Sequence, residues 1–295
     1  METVQAKQLL TPLHASDEFF HSDYNLNLYR GCSHGCVYCD SRSVCYQLDR
    51  FGQVRVKENA LSMLREELRR KRKPGLVSTG AMSDPYNPFE AETKITRGAF
   101  LLLKQYGFGA GFTTKSSLAA RDADVLIDIQ RTAPVRACFS ITCAEDGLCM
   151  KLEPGASPTS RRFEALEALS SAGVFAGVWL NPVLPFLTDT EENILSIVRR
   201  TKKCGGQFIV CHFGMTLRTG NREYFYEALD RDFPGVKVKY AQAFGLDYMC
   251  PSPRAGEMEA VFRKECRRLN LPCSFPDINR AMFSGQSRQL SLFGP

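Results

Sequence analysis

Short apolar segments alternate with longer amphipathic segments along most of this chain, and this alternation constrains its fold more than any other feature. Apolar and β-branched residues predict six strands, at residues 24–29, 76–79, 107–113, 135–142, 174–180 and 207–212. Apolar residues at helical spacing predict crossover helices, which include residues 93–105, 121–131, 160–172 and 191–203. Strands that alternate with helices form parallel sheets with right-handed crossovers. Since six units are fewer than the eight of a closed barrel, the pattern predicts an α/β fold with a partial (β/α)6 barrel of the TIM type.

The size and composition of the chain fit one large α/β domain, because its 295 residues are 44% apolar and 24% charged. We expect this domain, with a helical extension at its C-terminal end, to span residues 1–283. Residues 284–295 are expected to form a flexible tail. No apolar segment approaches the roughly 20 residues of a membrane span, so we expect no membrane partner.

The charge balance is mildly basic, with a net charge of +6 and a pI of about 8.7. Such an excess permits a nucleic-acid partner without requiring one. A basic run at residues 69–73 ends a helix that is predicted to begin at Glu58, and it has two interpretations: a solvated helix end or a phosphate contact. The 12 cysteines are scattered and no signal peptide precedes them, so they predict reduced thiols in the cytoplasm.

Three cysteines follow the first predicted strand in the segment YRGCSHGCVYCD. Cys32, Cys36 and Cys39 have C-x3-C-x2-C spacing, and three thiolates in one loop are suitable ligands for iron–sulfur or zinc. A [4Fe–4S] cluster usually takes four cysteines, so three would leave one iron open for chemistry. The alternative is a structural zinc site with Cys45 or His34 as the fourth ligand, although the chain has no second C-x2-C pair at zinc-ribbon spacing.

The cysteine loop and its flanking sequences, NLYRG before it and DSRS after it, resemble the signature of the radical S-adenosylmethionine (SAM) enzymes. Within that superfamily they resemble the spore photoproduct lyase-like branch of DNA repair enzymes. The resemblance implies a partial barrel, a [4Fe–4S] cluster held by the three cysteines, and SAM bound to the open iron. It also implies an electron donor such as ferredoxin or flavodoxin, and a 5′-deoxyadenosyl radical that takes a hydrogen atom from the substrate.

Polar residues follow several predicted strands, at the end where parallel α/β folds place their sites. The resemblance assigns Ser83 and Asp84 to the amino-acid end of SAM and Lys115 to its ribose or carboxylate. It assigns Ser140 to the ribose and Tyr38 to the adenine or the cluster. Each residue also has a structural interpretation, as a cap, a turn former or a solvated side chain. The predicted cofactor-binding residues are Tyr38, Ser83, Asp84, Lys115, Ser140, Thr142 and Asn181.

Two positions depart from the spore photoproduct lyases. Those enzymes have a hydrogen-returning cysteine two residues before the SAM serine, where this chain has Ala81, and a tyrosine directly after the last cluster cysteine, where it has Asp40. The family's route for returning hydrogen is therefore missing. Cys143 is a weak candidate for a replacement thiol, and its alternative role is that of a small buried apolar residue.

Motifs later in the chain also match this branch. Glu153, followed by proline, and the pair Arg161 and Arg162 could form an ion pair at the rim of the barrel, and a structural salt bridge is the simpler interpretation. Arginines and aromatic residues at 215–226 are predicted to line the substrate side, where they could stack bases or serve as ordinary helix packing. The sequence thus predicts a nucleic acid, with DNA favoured, as the partner.

The C-terminal pentapeptide QLSLF matches the motif by which bacterial replication and repair proteins bind the sliding clamp. Leu292 and Phe293 would fill an apolar pocket and Gln289 would fix the register beside Leu290. The alternative is a terminal segment that docks on its own barrel.

Three functions remain open on the sequence alone. The first is a radical SAM enzyme that acts on a nucleic-acid lesion and is brought to DNA by its tail. The second is radical modification of RNA, a peptide or a small molecule. The third is a non-catalytic iron–sulfur sensor at the sliding clamp, which would not cleave SAM.

Overall fold

The computed structural model describes residues 2–13 and 19–290. Its strands are β1 Thr3–Val4, β2 Leu10–Pro12, β3 Tyr24–Leu26, β4 Tyr29–Arg30, β5 Arg55–Lys57, β6 Leu76–Thr79, β7 Gly109–Thr114, β8 Val135–Ser140, β9 Ala176–Leu180, β10 Phe208–Cys211, β11 Gly214–Thr216 and β12 Met249–Pro251. Its helices are α1 Ala60–Arg69, α2 Glu90–Thr93, α3 Ile95–Gln105, α4 Ala123–Gln130, α5 Asp146–Leu152, α6 Thr159–Ser171, α7 Glu191–Lys203, α8 Asn221–Asp232, α9 Val236–Phe244, α10 Ala255–Arg268 and α11 Phe275–Leu290. Short 3-10 helices occupy Asp40–Arg42, Val44–Tyr46 and Ser117–Asp122.

The main sheet has the strand order β10-β9-β8-β7-β6-β3-β2 in the described part of the chain. From β3 to β10 every neighbouring pair is parallel, and β2 adds an antiparallel edge strand beside β3. The strands follow one another in chain order across the sheet, and β10 and β2 form its two edges. The predicted parallel sheet is confirmed, and so is the open, partial form of the barrel.

One face of this sheet carries the main core. Alternate side chains of a strand point to opposite faces, so Ala137 and Phe139 of β8 join the core that includes residues of α3, α4, α6 and α7, while Cys138 belongs to a separate cluster. Both faces are covered, which explains why the central strands are almost continuously apolar.

Most predicted elements differ from the observed ones by one or two residues at an end, and three differences go further. The stretch 24–29 is two strands rather than one, because β4 leaves the main sheet to pair with β5. The predicted helix at 93–105 begins at Ile95, since Lys94 has a φ of +52° and separates α2 from α3. The backbone of α11 is helical through Leu290, so residues 284–288, which were expected to be flexible, are helical as well.

The second face of the sheet is covered by residues 19–22 and by α11. Phe20 lies edge-on to Trp179, Phe208 and Phe275 at centroid distances of 5.0–5.8 Å. The side-chain amide of Asn279 accepts a hydrogen bond from His21 N at 2.9 Å and donates one to the Phe19 carbonyl at 3.1 Å. The C-terminal helix is therefore joined to the segment that leads into β3 and the cysteine loop.

Residues 1, 14–18 and 291–295 are not described. Leu292 and Phe293 of the predicted clamp-binding peptide thus lie outside the described residues, and only the backbone is described at Gln289 and Leu290. None of the described helices combines the length and the apolar character that crossing a membrane would need.

Candidate functional site

The cysteine loop begins at Gly31, which has a φ of +82°. A Cβ at this position would lie 2.4 Å from the Gln53 carbonyl oxygen and 2.7 Å from that of Phe51. The next residue, Cys32, donates its backbone N–H to the Phe51 carbonyl at 2.9 Å. Only glycine can enter the loop here, because the backbone both turns left-handed and packs against another chain segment.

The rest of the loop rests on the segment that follows α5. Val37 N–H donates to the Leu152 carbonyl at 2.9 Å, and Gly155 N–H donates to the His34 carbonyl at 2.8 Å. These two backbone hydrogen bonds fix the loop on either side of Cys36. The motif formed by Glu153 and its proline thus lies directly beneath the cysteines.

A cavity with an empty volume of about 490 Å³ opens beside the loop. It lies at the carboxyl ends of β6, β7 and β8, where parallel α/β folds place their chemistry. The structure brings seven of the predicted site residues to its wall, namely Cys32, Cys36, Cys39, Ser83, Asp84, Lys115 and Ser140.

Hydrogen bonds join these wall residues to one another. Ser83 Oγ donates to the Gly31 carbonyl at 2.5 Å, which ties the loop after β6 to the start of the cysteine loop. The Asp84 carboxylate accepts from Thr114 Oγ1 at 2.6 Å and from Lys115 N at 2.7 Å. Lys115 Nζ donates to Ser140 Oγ at 3.0 Å. Asp84 therefore orders the wall, while Ser140 and Lys115 present a hydroxyl and an ammonium group beside the cysteines.

Burial and nearby charges set the ionisation of this wall. Burial raises the pKa of Cys32 to about 11 and that of Cys36 well above its usual value. Burial alone would lower the pKa of the Lys115 ammonium, but the neighbouring Cys36 and Glu153 raise it. Lys115 is therefore positively charged at neutral pH, and a cation suits a wall that must accept thiolates and a carboxylate.

Three residues predicted to bind the cofactor do not line this cavity: Tyr38, Thr142 and Asn181. Thr142 is fully buried, and its hydroxyl donates to Glu153 at 3.0 Å. Tyr38 is also buried, and its hydroxyl lies 3.0 Å from that of Thr142 and contacts Glu153. Asn181 contributes its backbone carbonyl, which accepts from Ser140 Oγ at 3.1 Å. These residues support the wall from behind, and their contact with SAM stays a prediction.

The predicted ion pair at the rim is instead fully buried. Glu153 and Arg162 have no exposed side-chain surface, and Arg162 Nη2 lies 2.5 Å from Glu153 Oε2. Burial by itself would raise the pKa of Glu153, but Arg162, Lys115 and Tyr38 together lower it to about 2. The pair is consequently an ionised pair in the core beneath the cysteine loop, which agrees with the interpretation as a structural salt bridge and not with a place at the rim.

The weak thiol candidate is also placed away from the cavity. Cys143 is fully buried beside Cys149 and Leu152, and its Sγ faces the Glu145 carbonyl at 3.8 Å. Ala81, by contrast, is exposed and lines the cavity. Cys143 does not line the cavity, which favours its interpretation as a small buried apolar residue.

The proposed fourth ligands of a zinc site have other partners. His34 Nδ1 faces Asp84 Oδ2 at 3.4 Å, and Cys45 is exposed with its Sγ 3.2 Å from Arg218 Nη1. Within residues 2–13 and 19–290, no group of three or more His, Cys, Asp or Glu side chains is placed to hold a metal ion. That finding applies to Cys32, Cys36 and Cys39 as well as to Cys45 and His34.

A family model described as the radical SAM superfamily matches residues 26–198, which include the cysteine loop and most of the partial barrel. The chain belongs to the radical SAM superfamily. An uncharacterized protein of Mycobacterium tuberculosis is 31% identical over 247 residues, covering 81% of this chain and 72% of that relative. A radical SAM Nα-GlyT isomerase of Pseudomonas phage M6 is 22% identical over 182 residues, covering 62% of this chain and 37% of the isomerase.

Solved structures share the fold. A spore photoproduct lyase mutant with bound AdoMet and dinucleoside spore photoproduct gives a TM-score of 0.62 at 15% identity, covering 85% of this chain and 75% of that one. The radical SAM methyltransferase TsrM from Kitasatospora setae, with tryptophan substrate and a SAM analogue, gives 0.58 at 9% identity, covering 90% and 62%. At these identities the likeness establishes the radical SAM fold and leaves the substrate open.

Radical SAM proteins use a [4Fe–4S] cluster and SAM, and these are the cofactors that membership gives this chain. The cavity fits them in its donor chemistry, because three thiols, an ammonium and a hydroxyl meet on one wall. In a [4Fe–4S] cluster each cysteine binds a different iron, so the three sulfurs stand further apart than the ligands of a single ion. The finding that no three such side chains of the described residues are placed to hold one metal ion therefore does not count against a cluster at Cys32, Cys36 and Cys39.

Several wall residues were not among the predicted site residues, and two of them show why. Phe51 and Met82 both line the cavity. Met82 lies between Ala81 and Ser83, so its position could have been inferred from the loop. Phe51 has no motif around it, and it reaches the cavity because its backbone pairs with Cys32.

The basic run at 69–73 lies between α1 and β6, so it is at the opposite end of that strand from the cavity.

Proposed function

We propose that this radical SAM enzyme acts on a modified base in a nucleic acid, in a reaction of the lesion-repair type. The observation that carries the proposal is a set of stacked arginine and aromatic side chains beside the cysteine cavity. Spore photoproduct lyase, whose fold this chain shares, has been solved with a dinucleoside spore photoproduct. The proposed site is the cavity, and the proposed substrate approaches it across the stacked side chains.

We propose that Cys32, Cys36 and Cys39 hold the [4Fe–4S] cluster, because they are the three thiols on the cavity wall. When bound, the cluster and SAM supply the 5′-deoxyadenosyl radical. The residues of the chain bind and orient SAM: the Lys115 ammonium pairs with a carboxylate or a ribose oxygen, and Ser140 hydrogen-bonds the ribose. Ser83 and Asp84 shape the wall through their own hydrogen bonds.

The arginine–aromatic surface, as we name it, consists of two stacks that continue from the cysteine loop. Arg42 lies over Tyr224 at 3.9 Å and over Phe51, a cavity residue, at 5.1 Å. Arg218 lies over Tyr248 at 4.4 Å and over Tyr46 at 5.7 Å. Guanidinium and aromatic planes stack bases, and the positive charges attract phosphates.

The surface is accessible and adjoins the cavity. Tyr248 is 41% exposed and the Arg218 side chain 37% exposed. Asp40 accepts a hydrogen bond from Tyr46 at 3.0 Å and faces Arg218, so the residue after the last cysteine anchors one stack. A base stacked on this surface would lie beside the cavity, where a hydrogen atom could be taken from it.

The missing thiol distinguishes the proposed reaction from that of spore photoproduct lyase. Ala81 lines the cavity at the position of the family's hydrogen-returning cysteine. We therefore propose a different end to the reaction, in which the product radical is quenched by a donor other than residue 81. The electron is proposed to come from a cytoplasmic ferredoxin or flavodoxin.

The substrate can be tested with an oligonucleotide that carries deuterium on a damaged base. Protein reconstituted without oxygen would be mixed with SAM, dithionite and the oligonucleotide, and deuterium in 5′-deoxyadenosine would be measured. We expect transfer of deuterium, and Arg218→Gln should lower kcat/KM about tenfold, the effect of losing about 1.4 kcal/mol of base and phosphate contact. Arg131→Gln, which removes an exposed arginine paired with Asp128 on α4, is the matched control.

The result of this experiment distinguishes a nucleic-acid substrate from another substrate and from a non-catalytic protein. Release of 5′-deoxyadenosine without deuterium would overturn the nucleic-acid substrate and favour a small molecule or peptide, for which the fold shared with tryptophan-bound TsrM is a precedent. A protein that binds the cluster but never cleaves SAM would be the non-catalytic sensor.

We also propose that the C-terminal peptide binds a bacterial sliding clamp and so places the enzyme at DNA under replication or repair. The support is the sequence QLSLF alone. Leu292→Ala and Phe293→Ala should abolish binding of the purified full chain to a sliding clamp, while Ser291→Ala should leave it intact. Equal binding by all four proteins would refute the proposal.

A further inference from the structure

We infer that Glu153 is a positioning residue for the cofactor site, and that it acts on the cysteine loop through Tyr38. The inference rests on the proposed cluster site. It adds the buried pair of Glu153 and Arg162, which lies outside the cavity, holds the cysteine loop in place and sets the electrostatic field around it. Glu153 does not line the cavity, and its side chain contacts the cysteine loop through Tyr38, the residue between Cys36 and Cys39.

Both carboxylate oxygens of Glu153 have polar partners. One carboxylate oxygen of Glu153 accepts from the hydroxyl groups of both Tyr38 and Thr142. The other oxygen lies 2.5 Å from Arg162 Nη2 and 3.5 Å from Cys149 Sγ. Every partner of the carboxylate is thus fixed by a different element: the cysteine loop, the end of β8, α6 and α5.

Arg162 extends the network to the cavity wall. Its Nη1 donates to the Ser140 carbonyl at 2.9 Å, and its Nε donates to the Ser157 carbonyl at 2.7 Å. Ser140 carries the hydroxyl that Lys115 contacts. One buried ion pair therefore connects the cysteine loop on one side with the proposed SAM-binding wall on the other.

A purely structural role for this pair would be surprising in view of its cost. Two charges without exposed surface lose several kcal/mol of hydration each, and well-packed apolar residues often serve stability equally well. What an ion pair adds is a fixed geometry and a field. Lys115 Nζ lies 5.7 Å from the centre of the Tyr38 ring, and the hydroxyl of the same ring contacts Glu153, so one side chain separates the carboxylate from the cation of the cavity wall.

The inference predicts an electrostatic signature. Glu153→Gln keeps the size of the side chain and removes one negative charge beneath the cysteine loop, which should make reduction of a cluster held by the loop easier and raise its reduction potential. Tyr38→Phe removes a single hydroxyl and keeps the ring. It should leave the fold intact while loosening the loop, so that iron is released to a chelator about tenfold faster.

The test compares reconstituted wild type with these two variants and with Tyr240→Phe as the matched control. Tyr240 is buried like Tyr38, and its hydroxyl donates to Met215 Sδ at 3.4 Å rather than to Glu153. The readouts are the reduction potential and the electron paramagnetic resonance spectrum of the cluster, the rate of iron release, and the thermal unfolding of the metal-free protein. Tyr240→Phe is expected to match wild type in the first three.

The experiment distinguishes failure of this inference from failure of the proposed function. If Tyr38→Phe and Glu153→Gln bind a cluster whose potential, spectrum and iron-release rate equal those of wild type, the inference is overturned and the cluster site stands. If Glu153→Gln does not fold, Tyr38→Phe alone decides. If wild type itself takes up no cluster, both the proposed function and this inference fall.

Discussion

Replacement of Gly31 by alanine tests whether the entry into the cysteine loop depends on its backbone. Gly31 has a φ of +82°, and an added Cβ would lie 2.4 Å from the Gln53 carbonyl oxygen. The obstacle is backbone, so no side chain can turn away to make room. We expect Gly31→Ala to distort the loop and destabilise the fold.

The magnitude follows from two costs. An L-residue held in the left-handed region costs roughly 1–2 kcal/mol. Separating Gly31 from its neighbours also breaks the hydrogen bond of 2.9 Å from Cys32 N to the Phe51 carbonyl, which contributes about 1 kcal/mol. The free energy of unfolding should therefore fall by roughly 2–3 kcal/mol.

Urea unfolding of the metal-free variant measures this change, and the iron content after reconstitution shows its effect on the site. Gly52→Ala is the control, because Gly52 lies between Phe51 and Gln53 and an added Cβ there meets nothing within 4 Å. We expect that variant to stay within about 0.5 kcal/mol of wild type. Equal stability and iron content for the two variants would refute the reasoning.

Three further outcomes follow from the structure. Hydrogen bonds from Arg268 and Arg199 lower the pKa of Glu265 to about 2. The ionised Glu265 therefore contributes to stability above pH 4.5, and this contribution is lost as the pH falls towards 2. In Glu265→Gln the midpoint of urea unfolding should fall less over that pH range than in wild type. Asn279→Ala should cost about 1–2 kcal/mol and speed hydrogen exchange at the His21 amide, whose N–H it leaves without a partner. Ala81→Cys should fold normally, since Ala81 is exposed, and should place a thiol in the cavity that returns a solvent-derived deuterium to the product.

The alternation of strands and helices was enough to predict the sheet, because each βα unit leaves its own periodicity in the sequence. Helix α7 was predicted to the residue, since its Thr190 cap and basic last turn mark both ends. The break after Leu26 was missed. It depends on the pairing of β4 with β5, which are separated by more than twenty residues, and no local pattern reports such a contact.

The candidate site also contains some residues whose positions could be predicted from the sequence and others whose positions could not. Cys32, Lys115 and Ser140 could be located from the sequence because they sit just beyond strands or in a dense motif, and strand order brings them to one wall. The depth of Glu153 could not be predicted, since a charged residue beside a proline usually indicates a surface. Burial there depends on Arg162 arriving from another helix with an opposite charge.

The central claim is that three cysteines of one loop hold a [4Fe–4S] cluster that serves SAM cleavage. The most direct measurement is the iron, sulfide and zinc content of anaerobically reconstituted protein together with release of 5′-deoxyadenosine, for wild type, Cys36→Ala and Cys45→Ala. The account predicts a cluster and 5′-deoxyadenosine in wild type and Cys45→Ala, and neither in Cys36→Ala. Bound zinc in wild type, or a cluster that survives Cys36→Ala and is lost in Cys45→Ala, would contradict it.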